Sequence, residues 1–186
     1  MHSADPVLLL TGPPGAGKTT VARLLASRSN RAVHLEADVF FRFVVSGYAE
    51  PWLPDGHEQN RAVMRIIADA AAGYADAGYF TIVDGILIPG LFLELVRDAL
   101  VKRGNDVAYV FLRAPLTVCK ARNRGRGPQP PTDSGPLEQL WGAFADLGNL
   151  ERHVIRTDVS QPGEIAGRIM RELPQLLASP SPHYSR

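Results

Sequence analysis

Gly12-Pro13-Pro14-Gly15-Ala16-Gly17-Lys18-Thr19-Thr20 carries the spacing G-x-x-x-x-G-K-T and follows the apolar run Val7 to Leu10 almost directly. Glycines at that spacing let backbone N–H groups turn inward around a phosphate chain, and the lysine after the second glycine reaches the outer oxygens. The run before it reads as a strand. Val21, Leu24 and Leu25 after it recur at helical spacing, so a helix N-terminus adds its positive dipole to the same cradle. All nine residues, Gly12 through Thr20, are therefore candidate contacts for ATP. Lys18 is expected on the β and γ oxygens, Thr19 to offer its hydroxyl to Mg²⁺, and Thr20 to add a contact at the α-phosphate.

Two carboxylates stand where such a cradle needs them. The third apolar run ends Ile82-Val83-Asp84-Gly85. Asp84 is expected to serve the metal, directly or through water; its alternative is a turn or N-cap at the strand end. Gly85 cannot orient a hydrolytic water, which favours transfer to a substrate hydroxyl over hydrolysis, since phosphoryl transfer still needs a group that positions the nucleophile. No Asn-Lys-x-Asp guanine reader is present. The second run leads into Leu35-Glu36-Ala37-Asp38-Val39-Phe40. In a doubly wound sheet ligands bind beyond the carboxyl ends of the strands, so Asp38 is expected to look into the crevice that holds Lys18 and to act as the base. Its alternative is to cap a helix beginning at Val39; Glu36, on the strand itself, is the alternative base.

The elements that must position these groups are short apolar runs between helical segments: Val7 to Leu10, Ala32 to Leu35, Phe80 to Val83, Val107 to Leu112 and His153 to Ile155. That alternation predicts an α/β fold, a parallel sheet of about five strands with helices on both faces. Val63, Ile66, Ile67, Ala70 and Tyr74 mark one helix, preceded by Asp55-Gly56-His57-Glu58, which reads as a capping box, and closed by Gly78. Leu91 to Val101 marks another, and Ile165, Ile169 and Leu173 a third that is entered through Pro162. Arg124-Gly125-Arg126-Gly127-Pro128-Gln129-Pro130-Pro131 reads as a mobile loop. Residues 1–178 are expected to form one domain and residues 179–186, with two Ser-Pro pairs, a disordered tail.

Length and charge set limits. The chain has 186 residues, with 20 Lys and Arg against 19 Asp and Glu. Its formal charge of +1 gives no field that would favour nucleic acid or an anionic membrane as partner. The single cysteine, Cys119, excludes an internal disulfide, and with no signal peptide or membrane-spanning run the expected location is cytoplasmic. Arg113, Arg122, Arg124 and Arg126 cluster after the fourth strand. A solvated basic turn is one reading; RNA binding is disfavoured, because aromatic RNA-binding motifs are absent.

GPPGAGKTT, the aspartate after the second strand, Val83-Asp84-Gly85 and the Arg-rich loop together resemble the small P-loop kinases: chloramphenicol phosphotransferase, gluconate and shikimate kinases and, more distantly, the zeta toxins. The resemblance covers most of residues 7 to 178, and from Asp38 through Trp52-Leu53-Pro54 to Asp84-Gly85 it looks most like a group of bacterial AAA/zeta-toxin-like kinases. It implies a three-layer P-loop fold, similar to the nucleoside-monophosphate kinases, with a mobile lid. It implies Asp38 as base, Arg122 and Arg126 as lid arginines with Arg124 a further candidate, and the segment Thr157 to Pro162, Val159 within it, around the adenine. The shikimate kinase D-x-D pattern is replaced by Glu36 and Asp38. Substrate choice would fall to the aromatic insert from Phe40 to Arg61, where Phe41, Arg42, Trp52 and Asn60 are candidate contacts. The expected activity is Mg²⁺-dependent transfer from ATP to a hydroxyl of a small molecule, a metabolite or an antibiotic, by a monomer or homodimer. The alternatives are a toxin-like or nucleotide-sugar kinase and a nucleotide-binding regulator.

Overall fold

The computed structural model describes residues 5–124 and 135–177. The five apolar runs form five parallel strands: β1 Val7–Thr11, β2 Ala32–Glu36, β3 Phe80–Asp84, β4 Val107–Arg113 and β5 Val154–Arg156. Their order is β2-β3-β1-β4-β5. Between and after them lie α1 Lys18–Ser27, α2 Ala37–Arg42, α3 His57–Asp76, α4 Leu93–Lys102, α5 Leu116–Arg124, α6 Gly135–Gly142 and α7 Pro162–Glu172. This is the α/β architecture that the sequence pattern predicts.

The strands read as unbroken apolar runs because helices cover both faces of the sheet. Side chains along a strand alternate between faces. Val7 and Leu9 of β1 accordingly join Val63, Ile67 and Ala71 of α3 and Val96 and Leu100 of α4 in one core. Leu8 and Leu10 join Val21 and Leu25 of α1 and Ile165 and Ile169 of α7 in the other. Leu8, Leu9 and Leu10 have 0% exposure, and each such side chain contributes on the order of 2 kcal/mol to holding β1 between the two layers.

Several local expectations need correction. The capping box at Asp55 to Glu58 does not form: a 3-10 turn over Pro54–Gly56 feeds straight into α3, and Gly56, which has no side chain to cap with, takes the N-cap position. The apolar stripe of α3 is rotated from the expected one. Ile66 and Tyr74 are 56% and 43% exposed, while Met64, Ala68 and Ala72 are buried, because alanines let the helix lie close to the sheet. Gly78 does close the helix: its N–H donates to Ala75 O at 2.8 Å and that of Tyr79 to Tyr74 O at 3.1 Å, the paired bonds of a Schellman ending. The fifth strand begins at Val154, and His153 ends the 3-10 turn before it. Arg124, expected to open the loop, is the last residue of α5, which also carries Arg122. Arg126, most of the expected lid loop and the tail 179–186 lie outside the described residues.

Candidate active site

The loop after β1 is fixed by backbone contact. Gly12 adopts φ +139°, and a Cβ there would lie 2.1 Å from the carbonyl oxygen of Leu112 in β4; at Gly15, φ +80°, it would lie 2.5 Å from that of Cys119 in α5. No larger residue fits either place. The loop delivers the chain to Gly17, which starts α1 with no capping side chain and no acidic residue in the first turn, so the positive end of the helix faces the loop unopposed. Lys18 folds back over it, its Nζ donating to Gly12 O at 2.9 Å and to Pro13 O at 3.2 Å.

Thr19 Oγ1 donates to Asp84 Oδ2 at 2.7 Å. Asp84 closes β3 in register with Leu10 of β1 and Glu36 of β2, which is what carries its carboxylate to the first turn of α1. The Asp84 side chain is only 3% exposed, and His34 Nε2 from β2 approaches the same oxygen at 3.2 Å. A hard divalent cation takes one or two carboxylates, a hydroxyl, waters and phosphate oxygens rather than a closed protein cage. Thr19 and Asp84 are a donor set of that kind, so they fit Mg²⁺. Sequence reasoning missed His34; its only signal is an imidazole on a strand that ends beside an acidic one. Glu36, the alternative base, instead meets Arg23 at 2.8 Å.

Arg122 ties the loop to the far end of the site. Its guanidinium donates to Gly15 O at 3.4 Å, to Thr157 Oγ1 at 3.2 Å and to Thr157 O at 2.8 Å, while Thr157 Oγ1 donates to Ala16 O at 2.9 Å. Arg122 and residues 157–162 line a cavity of about 280 Å³, with Val159 69% exposed on its rim. The Asp158 carboxyl there is held below its ordinary range, chiefly by the hydrogen bond from Arg156. Arg113 belongs to the scaffold: it forms a paired hydrogen bond with Glu151, both contacts at 2.8 Å, and reaches Phe144 O and Ala145 O. That pairing holds the Glu151 carboxyl below its ordinary range.

On the side where the acceptor is expected lies a cavity of about 570 Å³ between Pro14, α2, α3, the β3–α4 segment and α6. Asp38, Phe41, Arg42, Trp52 and Asn60 all line it together with Pro14 of the phosphate loop. Asp38 does not cap α2. The helix begins at Ala37 with Glu36 at its N-cap, making no side-chain cap bond, and Asp38 stands in the first turn. Gly85 allows this placement, for a Cβ there would come within 2.8 Å of Ala37 Cβ. Asn60 is 2% exposed, and its Nδ2 donates to Pro51 O at 2.7 Å. Gln59 brackets Ala49, accepting from its N–H at 2.9 Å and donating to its carbonyl at 2.7 Å. These adjacent amides at the start of α3 pin the insert; Asn60 also lines the cavity, its buried Oδ1 without a partner among the described residues, and sequence reasoning missed Gln59. Burial, then the carboxylates of Glu50 and Asp38, push the Tyr48 phenol up. Ile86, Ile88 and Phe92 of the β3–α4 segment and Gln139 and Leu140 of α6 add to the walls and left no pattern in the sequence, since nothing in either stretch says that the two lie beside each other.

Comparison with known proteins bears on this arrangement. The model of the AAA_33 family, described as an AAA domain, matches residues 7–145. A shikimate kinase of Saccharopolyspora erythraea is 43% identical over 69 residues, which make up 37% of this chain and 39% of that enzyme; the alignment thus spans well under half of the relative. The tunicamycin resistance protein of Deinococcus radiodurans superposes with a TM-score of 0.70 at 22% identity, over 95% of this chain and 99% of that one. The APS kinase of Mycobacterium tuberculosis, solved with AMPPNP and APS, does so with a TM-score of 0.71 at 21% identity, over 92% and 98% of the two chains. At these identities the likeness is one of fold, the α/β fold of P-loop kinases.

Proposed function

The chain belongs to the AAA_33 family, and from that premise we propose that it is a kinase, transferring the γ-phosphoryl group of ATP to a hydroxyl of a small molecule held in the larger cavity. The loop Gly12 to Thr20 holds the triphosphate by its backbone N–H groups, with Lys18 released from its carbonyl partners onto the β and γ oxygens. Thr19 and Asp84 would hold Mg²⁺, which when bound would supply positive charge to offset that of the phosphates. Asp38 orients the acceptor hydroxyl and takes its proton as the oxygen bonds to phosphorus and the bond from phosphorus to the bridging oxygen of ADP breaks. Arg122 holds the phosphate loop against the segment around Val159, where the adenine rests. Arg126 is proposed as the lid arginine on the resemblance alone. The whole described region acts as one domain.

The observation that supports this reading is that Asp38 and Pro14 line one cavity, so the proposed base and the phosphate loop share a cleft. The test is a matched pair. Lys18→Ala and Asp38→Asn are each expected to lower turnover at least about a thousandfold, measured as ADP release with an added-phosphate mass on the acceptor. Only Lys18→Ala should also greatly weaken ATP binding by calorimetry. An Asp38→Asn enzyme with full turnover removes the base assignment.

A further inference from the structure

On the premise that the cavity beside Asp38 holds the phosphate acceptor, we propose that this acceptor is a neutral, largely apolar molecule with few hydroxyls, not a polyol or a sugar acid. At about 570 Å³ the cavity has the size of a drug-sized ligand site. Its walls are Phe41, Trp52, Met64, Ile86, Ile88 and Phe92 with other apolar neighbours. The polar lining is sparse: Asn60 has its Nδ2 on Pro51 O and leaves only its buried Oδ1 without a partner among the described residues, and Tyr48, His57 and Gln139 add one side chain each. Each hydroxyl of a polyol left without a partner in such a pocket weakens binding by about tenfold, so several together exclude it.

Charge points the same way. Among the described residues Asp38 and Arg42 are the charged side chains of the lining, one of each sign. A second anion on the ligand would meet the Asp38 carboxylate with only Arg42, exposed at the end of α2, to offset it. The mouth is apolar as well: Tyr48, Trp52 and Leu91 line the cavity yet are 45%, 55% and 47% exposed, surface that a polar ligand has no reason to cover.

The experiment uses 3-phenylpropan-1-ol and 2-(2-naphthyl)ethanol against gluconate, shikimate and ribitol. Binding is measured by equilibrium dialysis with AMPPNP and Mg²⁺ present, and phosphorylation by mass spectrometry with ATP. The aryl alcohols are expected to bind at least about thirtyfold more tightly than the three polar compounds, as burying a bicyclic ring implies. Trp52→Ala and Leu91→Ser, both at exposed positions, should each weaken aryl-alcohol binding at least about fivefold and leave AMPPNP binding unchanged. Tighter binding of gluconate, shikimate or ribitol, no saturable aryl-alcohol binding, or indifference to both substitutions overturns the inference. Aryl alcohols that bind in this substitution-sensitive way but are never phosphorylated uphold the pocket and count against the kinase reading. A phosphorylated sugar acid does the reverse.

Discussion

At the proposed nucleotide end of the cleft, Lys18, Thr19 and Asp84 are held by the backbone: two glycines pressed on Leu112 and Cys119, a strand-final aspartate, a helix start. At the acceptor end, the wall is assembled from side chains of α2, the insert, α3, the β3–α4 segment and α6. The first end is polar and closely bonded, the second apolar and half open. The difference follows from what each must hold. A triphosphate is met by N–H groups whose positions depend on a fixed chain path, so residue identity there is dictated by geometry. An acceptor is met by shape and apolar surface, which many side chains supply equally well.

The comparison breaks most visibly at Gly12. An alanine there would need φ near +139° and would drive its Cβ to 2.1 Å from a β4 carbonyl oxygen. The expected cost is about 3 kcal/mol or more, read as a lower urea midpoint together with loss of ATP-analogue binding. A Gly12→Ala protein within about 1 kcal/mol of the parent would show that the loop path is not fixed by β4.

Gly85→Ala sharpens the contrast. Its Cβ would stand 2.8 Å from Ala37 Cβ, so α2 must move, and Asp38 with it, while the loop after β1 need not. Overpacking of one methyl costs about 1–2 kcal/mol. Turnover should fall at least about tenfold, since misplacing the proposed base by even an ångström has such effects, with AMPPNP affinity unchanged in calorimetry. Equal loss at both ends would mean that the two regions move as one.

The same division explains what could be read from the sequence. Strands buried on both faces announce themselves as apolar runs, so β1 to β4 lie within a residue or two of expectation, and the phosphate loop is legible because glycine is required where it occurs. Asp38 and Asp84 were placed by a rule about strand ends. Gln59, His34 and Phe92 were not legible: their roles depend on which distant chain lies beside them. Asn60 was legible only in part: it lines the cavity as expected while its Nδ2 bonds to Pro51 O, since a polar side chain in a sequence does not say whether it will bond to a ligand or to its own backbone. The stripe of α3 was misplaced because alanine, which lets a helix approach closely, looks weaker in a periodicity than Ile66 or Tyr74.

The smallest expected effect should touch neither end. His153 is 2% exposed, accepts at Nε2 from Arg152 Nε at 3.0 Å and stands edge-on to the Tyr109 ring at 5.7 Å. Burial, then the neighbouring Arg152 cation, pushes the imidazole below its ordinary pKa. Burial likewise raises the Tyr109 phenol, which stays neutral through the range concerned. Below the ordinary histidine value of about 6.5 the unfolded chain takes up a proton that the folded chain refuses. Stability therefore falls as pH drops through about 6.5 toward the lower folded value, and this group adds no slope above about pH 7.5. A Tm lower by about 3 °C or less at pH 5.5 than at pH 7.5 is expected from it, and His153→Phe, which keeps the ring against Tyr109, should remove that part of the slope. AMPPNP and acceptor affinities measured at pH 7.5 should not change. A His153→Phe protein with altered acceptor affinity would place the boundary between the rigid and adaptable halves of the cleft deeper than β4, in the core beneath α6.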